Sequence, residues 1–257
     1  MLSPEIVAVE KDFLVVYKPP RLHSAPKTKS NGATILDWCA ATYPEIRELG
    51  GWKAGEGGLL HRLDYETHGL LLIARNSLAM EAFLAQQQEG RILKEYSALV
   101  LKSDKELPGF PKEKPELPHL FFEGKNGSPF TITSAFRAYG PGRKEVRPVF
   151  PPLIPDAGRS AKTKELYRTE ILAGRPVPDA PFPYCLFLRL RIQKGFRHQI
   201  RNHLAWLQWP ILNDALYGGP SAGKGLLALR ACSLIFIDPS SGEERNYSIP
   251  PLAYSEI

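Results

Sequence analysis

The sequence predicts an α+β fold built on a mixed, mostly antiparallel sheet with few helices, and three observations carry that prediction. Short runs of β-branched and apolar residues recur along the chain, each closed by Pro, Gly or charged residues. Apolar residues at helical spacing appear in only a few places. Proline is concentrated mid-chain, ten of the 24 lying between Pro108 and Pro155. Proline fixes φ and cannot donate to a sheet ladder, so most of that region lies outside the core.

Taken in order, Val7 to Val9 and Phe13 to Lys18 read as two strands stopped by Pro19-Pro20. Thr34 can cap a helix in which Ile35, Trp38, Cys39 and Thr42 recur at helical spacing. After a Gly-rich loop from Gly50 to Gly58, Gly69 to Arg75 is a continuous apolar run of the kind that forms a strand covered on both faces. Ser77 caps an amphipathic helix through Gln88, with Gly90 as its stop signal. Lys94 to Leu101 is strand again. Pro-rich loop insertions follow at about 104–130 and 139–160, with a strand from Thr131 to Ala138 between them. Ala173 to Pro183 is a smaller insertion. A strand at Leu186 to Ile192, a helix from about Arg197 to Gln208, and strands near Leu227 to Ile237 and Arg245 to Ile249 complete the chain. Because β-rich segments resume directly after Ser160, residues 1–257 are expected to form a single domain.

Composition narrows the class. Apolar residues at 43% and charged residues at 23% exclude wholesale disorder. The longest apolar stretches, such as Leu70 to Ala74, are far too short to span a bilayer as a helix. Glu5, Glu10 and Asp12 open the chain where a signal peptide would be basic and then apolar. Three widely spaced cysteines argue for a reducing compartment and against a disulfide framework or a Cys-based zinc site. The expectation is a cytoplasmic protein without membrane association. Lys and Arg outnumber Asp and Glu by 33 to 27, and the surplus is uneven. Between Arg159 and Arg201 ten Lys and Arg face only Glu165, Glu170 and Asp179, a balance suited to a phosphate-bearing partner or to a solvated face.

Two apparent motifs fall away. Gly218 to Gly225 has the spacing of a phosphate-binding loop, but Gly225 stands where the Mg²⁺-ligating hydroxyl belongs and Pro220 interrupts the cradle. His198 and His203 are five apart and point to different helix faces, so no metal site is expected from them. The informative segment is His61-Arg62-Leu63-Asp64-Tyr65-Glu66-Thr67-His68-Gly69, which gathers charged groups at the mouth of an apolar strand. Alone it could be a surface turn with an Arg62–Asp64 ion pair. Lys94-Glu95-Tyr96 adds an aromatic ring at a strand start, and Phe196 to Leu204 puts Arg197, Arg201 and Leu204 along one helix face. A carboxylate, an aromatic platform and clustered Arg make a set for gripping a nucleotide.

The segment HRLDYETHGLLLIARN resembles the HRLD-x-x-T-x-G-L-L-L signature of pseudouridine synthases of the RluA type. EKDFLVVYKPPRLHSAP is similar to the family's opening strand and Lys-Pro turn, and KEYSALV to its Lys-x-Tyr strand. GFRHQIRNHLAWLQWPILNDALYGG resembles its Gly-Arg-Thr-His-Gln-Ile-Arg helix and the Pro-Ile-x-Gly-Asp-x-x-Tyr-Gly turn. These blocks come in the family's order over residues 8 to 236. The resemblance implies a pseudouridine synthase catalytic domain with a curved sheet, flanking helices and a central cleft. It also implies no N-terminal S4 module, the first strand beginning almost at Met1.

The resemblance further implies that the chain isomerises uridine to pseudouridine in structured RNA, ribosomal or transfer, as a monomer without an obligate protein partner. It assigns Asp64 as the catalytic carboxylate, Tyr96 as the active-site tyrosine and Arg201 as the arginine that pairs with the aspartate. Arg62 matches the residue that enters the RNA stack where the uridine leaves, and His61, Arg197, His198 and Gln199 join it as substrate-binding residues. The reaction breaks an N-glycosidic bond and rejoins the turned base through carbon, so neither metal nor cofactor is called for. Whether the carboxylate attacks C1′ or removes a sugar proton stays open. The target must leave the helix to be reached. His68 for the usual Ser, Phe196-Arg197 for Arg-Thr, Arg230 for His and Asn213 for Gly depart from the pattern. The competing reading is a non-catalytic RNA-binding protein on the same fold. A glycosidase would need two carboxylates straddling the bond, which Asp64 and Glu66 on one loop cannot provide.

Overall fold

In the structure, a computed structural model, residues 3–26, 33–51, 55–121, 123, 128–150, 165–178 and 180–257 are described. Their strands are β1 (Glu5–Val9), β2 (Phe13–Lys18), β3 (His68–Ala74), β4 (Leu93–Leu101), β5 (Phe130–Tyr139), β6 (Glu145–Val149), β7 (Tyr167–Pro176), β8 (Cys185–Ile192), β9 (Leu229–Ile237) and β10 (Glu244–Ser248). The helices are α1 (Ile35–Ala40), α2 (Glu45–Glu48), α3 (Ser77–Gln88) and α4 (Gln199–Trp206). These elements make the mixed α+β class that the sequence predicts. They cluster into two compact units, Met1–Tyr96 with Arg230–Pro251 and Ser97–Leu229 with Leu252–Ile257. The chain passes from the first to the second within β4.

In the first unit, β1 pairs antiparallel with β2, with an irregularity between Ile6 and Ala8. β2 pairs antiparallel with β3 in a register running from Phe13 opposite Ala74 to Lys18 opposite Gly69. β3 runs parallel to β9, His68 opposite Arg230 and Gly69 opposite Ala231. β10 pairs antiparallel with β9. Every residue of β2 and β3 is buried, as the unbroken apolar runs require. Phe13, Val15, Leu70 and Leu72 form one core with Phe236 and with Ala79, Met80 and Phe83 of α3. Phe13 meets Phe83 and Phe236 edge-on at 5.8 and 5.1 Å. Gly69 has φ +123°, and a Cβ there would stand 2.1 Å from the Ala231 carbonyl oxygen, so only glycine lets the two strands approach so closely.

Local capping corrects two expectations. Asn76, not Ser77, caps α3: its backbone is extended and its side chain accepts from Ala79 N at 2.9 Å, which leaves Ser77 as the first helical residue. Thr34 does cap α1, in a reciprocal capping box with Asp37. However, the buried face of α1 is Ile35, Leu36, Cys39 and Ala40, while Trp38 is exposed and Thr42 lies beyond the helix.

In the second unit, β7 pairs antiparallel with β8 on one side and with β5 on the other, and β5 pairs antiparallel with β6. Along β8 Leu186, Leu188, Leu190 and Ile192 are buried, whereas Arg189 is exposed and Phe187 and Arg191 are half-buried. The expected insertion at Ala173 to Pro183 contracts, because β7 continues to Pro176, paired with Leu186. The insertion at 139–160 likewise contains a strand, β6, in spite of Pro148. Val146 N donates to the Tyr217 hydroxyl at 3.1 Å and Val146 O accepts from Asn202 at 2.5 Å, so the 146 and 148 peptides face away from β5. Proline at 148 therefore removes no bond from the β5–β6 ladder. Phe136 and Val146 pack with Tyr217 and Ala205, and the Phe136 ring stacks on Phe196 at 5.0 Å.

Candidate active site

The segment from His61 to Thr67 joins the Gly-rich loop to β3, and its backbone is clamped from several directions within the first unit. Ser24 Oγ accepts from Leu63 N at 3.0 Å and donates to Leu63 O at 2.9 Å. Arg21 N donates to Tyr65 O at 2.8 Å, and Thr67 N closes a turn onto Asp64 O at 3.2 Å. These bonds fix the peptides on both sides of Asp64, whose side chain is half-buried. His61 turns inward. Its Nε2 accepts from Leu72 N at 3.3 Å, and burial, helped by the neighbouring Lys94 ammonium, holds its pKa down at about 3. It is a neutral acceptor that ties the loop to β3.

Lys18, at the end of β2, is fully buried and points beneath this loop. Its Nζ donates to Leu22 O at 2.8 Å, Pro19 O at 2.9 Å and Tyr65 O at 3.4 Å. Burial lowers its pKa from 10.5 to about 7, against the opposing pull of the Asp64 and Glu66 carboxylates. The unfolded chain therefore binds more protons than the folded one between about pH 7 and 10.5, and the cost of the buried charge is relieved as pH rises through that window. Denaturant melts at pH 7 and pH 9.5 should show wild type gaining stability relative to Lys18→Met at the higher pH. A gap that narrows in the other direction would refute this account of the site's electrostatics.

Tyr96 lies on β4, where Ser97, Ala98, Leu99 and Val100 are also buried. Burial pushes its hydroxyl pKa above the ordinary tyrosine range, and the charge of Asp64 acts in the same sense. Asp64 and Tyr96 thus share one electrostatic environment. Lys94, on the same face of β4, is buried too and lowered to about 8.

The Phe196 to Leu204 segment belongs to the second unit. His198 has φ +57°, so the helix begins only at Gln199, and Arg197 precedes it instead of sharing a face with Arg201 and Leu204. Arg197 is exposed and donates to Arg143 O and Glu145 O at 2.7 and 3.1 Å. His198 Nδ1 meets the Tyr217 hydroxyl at 3.0 Å. Gln199 is buried, its amide donating to Arg168 O and Thr169 Oγ1 and accepting from Phe196 N. Arg201 makes a buried two-pronged bridge to Asp214, both contacts at 2.7 Å, with its guanidinium 5.4 Å from the centre of the Tyr217 ring. Asp214 occupies the Asp of the Asn-Asp-x-x-Tyr-Gly turn, and the sequence pattern alone does not mark it as a partner of Arg201. His203 is a structural histidine, bonded to Ser134 and Thr169 and lowered to about 3 by burial.

The basic stretch reads only in part. Arg168, Arg175, Arg189, Lys194 and Arg197 are exposed, while Arg159, Lys162 and Lys164 lie outside the described residues.

The architecture is that of the pseudouridine synthase class of folds. Human RNA pseudouridylate synthase domain containing 1 matches with a TM-score of 0.63 at 21% identity, covering 96% of this chain and 83% of that one. Human RNA pseudouridylate synthase domain containing 4 follows at 0.60 and 17%, covering 98% and 90%. Residues 12–206 match the family profile described as RNA pseudouridylate synthase, and the chain belongs to that family. Ribosomal large subunit pseudouridine synthase D of Vibrio parahaemolyticus is 26% identical over 96% of this chain and 66% of its own length. An uncharacterized RNA pseudouridine synthase of Chloroflexus aurantiacus is 30% identical over 91% and 61%. The chain thus spans just under two thirds of the length of these two relatives.

Proposed function

We propose that this protein isomerises uridine in structured RNA to pseudouridine, with Asp64 as the catalytic carboxylate. The carrying observation is the Asp64 loop, pinned on both sides by Ser24, Arg21 and Lys18, with the buried Tyr96 in the field of the same carboxylate. A fixed carboxylate can act on the sugar without reorganising, and Tyr96 can stack on the extruded base. The bonds balance without a co-reactant: the N1–C1′ bond breaks, the C5–C1′ bond forms, C5 gives up its proton and N1 gains one. Arg201 is proposed as the arginine that serves this chemistry, with Asp214 holding its guanidinium flat.

Arg62 and Arg197, both exposed, are proposed to meet RNA directly, whereas His61, His198 and Gln199 set the backbone from which they project. The names of the Vibrio and related proteins make ribosomal RNA the substrate to test first. The cytoplasm fits the three buried thiols, Cys39, Cys185 and Cys232, and the protein is proposed to work there as a monomer. Release of tritium from C5-labelled uridine in ribosomal RNA tests the activity, and RNA binding without release would favour a non-catalytic RNA-binding protein.

RNA is further proposed to lie along the exposed Arg168, Arg175 and Arg189 of β7 and β8. Phosphate neutralisation releases counterions, so log affinity should fall linearly with log salt. Replacing these three arginines with Ala should flatten that slope by about 2 units. A triple variant with the wild-type slope would show this face to be merely solvated.

A further inference from the structure

Tyr65 follows Asp64 in sequence and is 43% exposed, between the half-buried Asp64 and Glu66. The ring is not isolated. His23 lies against it with ring centroids 4.6 Å apart and planes tilted by 40°. The two rings come from loops that are stitched together, by Arg21 N to Tyr65 O, by Lys18 Nζ to Tyr65 O and by Ser24 to Leu63. Two cations flank them. Arg21, itself at φ +60°, meets Glu66 at 3.6 Å, and Arg62 meets Glu56 at 3.0 Å. Both guanidinium groups are more than half exposed. Each carries five N–H donors, so one carboxylate partner leaves others for a phosphate.

The geometry points to a base-stacking subsite in which Tyr65, backed by His23, receives an unpaired nucleobase of the RNA next to the target uridine, with Arg21 meeting its phosphate and Arg62 left for the gap in the stack. This inference rests on the RNA reading proposed above and deepens it. Every base presents a π-face, and a ring already packed against His23 loses little freedom on stacking. Glu66 holds Arg21 by a weak, largely exposed contact that a phosphate, which the guanidinium favours geometrically, can replace, whereas the buried Glu56 stays paired with Arg62 and anchors it. Tyr96 is buried and belongs to the reacting base. Tyr65 is exposed and serves a neighbour, so its role is in substrate hold and context and not in the chemical step.

The test separates the subsite from the activity. Tritium release from C5-labelled ribosomal RNA should show KM raised about tenfold by Tyr65→Ala, with kcat within about threefold of wild type. Tyr65→Phe and Tyr65→Trp should stay near wild type, and Tyr65→Leu should behave like Ala because it has bulk without a π-face. In parallel, a single-stranded oligoribonucleotide carrying 2-aminopurine should be quenched by wild type and by Asp64→Asn, and about tenfold less tightly bound by Tyr65→Ala. Quenching that depends on Tyr65 in a protein that releases no tritium would sink the isomerase reading and leave the subsite standing. Tyr65→Ala with wild-type KM and wild-type quenching, or Tyr65→Leu as good as Phe, would overturn the subsite.

Discussion

Asp64→Asn should lower turnover by at least roughly a thousandfold, about 4 kcal/mol in the barrier, while leaving folding and RNA affinity close to wild type. The amide keeps the size of the side chain, so the clamp made by Ser24, Arg21 and Lys18 around its backbone survives. What disappears is the charge, and with it both nucleophilic and basic capacity. Tyr96→Phe should be milder, since the ring stays and only the buried hydroxyl is lost. Tritium release under single-turnover conditions, a binding titration and a denaturant melt read the three quantities. An Asp64→Asn protein as active as wild type would remove the catalytic role from this loop altogether.

Asp214→Ala should cost about 3–5 kcal/mol of stability, because it breaks a buried two-pronged ion pair by removing one partner. For a chain of this size that loss corresponds to a fall of roughly 6–9 °C in Tm. The double variant Arg201→Met/Asp214→Leu should recover much of the loss, since apolar replacement of a whole buried pair is often neutral. It should nonetheless stay inactive if Arg201 serves the reaction. Urea melts of Arg201→Met, Asp214→Leu and the double give the coupling. Additive losses would mean that the pair contributes nothing as a pair.

The parts of this molecule legible in the sequence are those where a single physical signal acts alone. β2 and β3 read correctly because Phe-Leu-Val-Val-Tyr and Leu-Leu-Leu-Ile have no polar face to offer solvent. Signals in competition misled. Asn76 and Ser77 are both good caps, and backbone angles rather than composition decide between them. Pro148 argued against a strand, yet the direction of its peptide relative to β5 makes it harmless there. The helix starts at Gln199 and not near Arg197 because His198 takes a left-handed turn, which nothing in apolar spacing reveals.

Of the candidate site, the sequence shows residue types and not what surrounds them. Asp64 and Tyr96 stood out as a carboxylate and a ring beside apolar runs, and their shared electrostatics follow from the fold. The clamp around Asp64 was not legible, since Ser24 and Lys18 lie about forty residues upstream and no local pattern links them to it. The pairing of Arg201 with Asp214, thirteen residues on across a loop, is likewise invisible to local pattern.

β6 has a bearing on how the protein stays dispersed. A strand with one side unpaired is a template on which another chain can lay its own backbone, and assemblies grow from such templates. On the side of β6 away from β5, the Val146 amide is held by Tyr217, its carbonyl by Asn202, and Pro148 has no amide hydrogen to give. A stray strand arriving there meets occupied groups and a missing donor. The proline that made this segment look unlike a strand is thus a guard against aggregation, and it works because the segment is one.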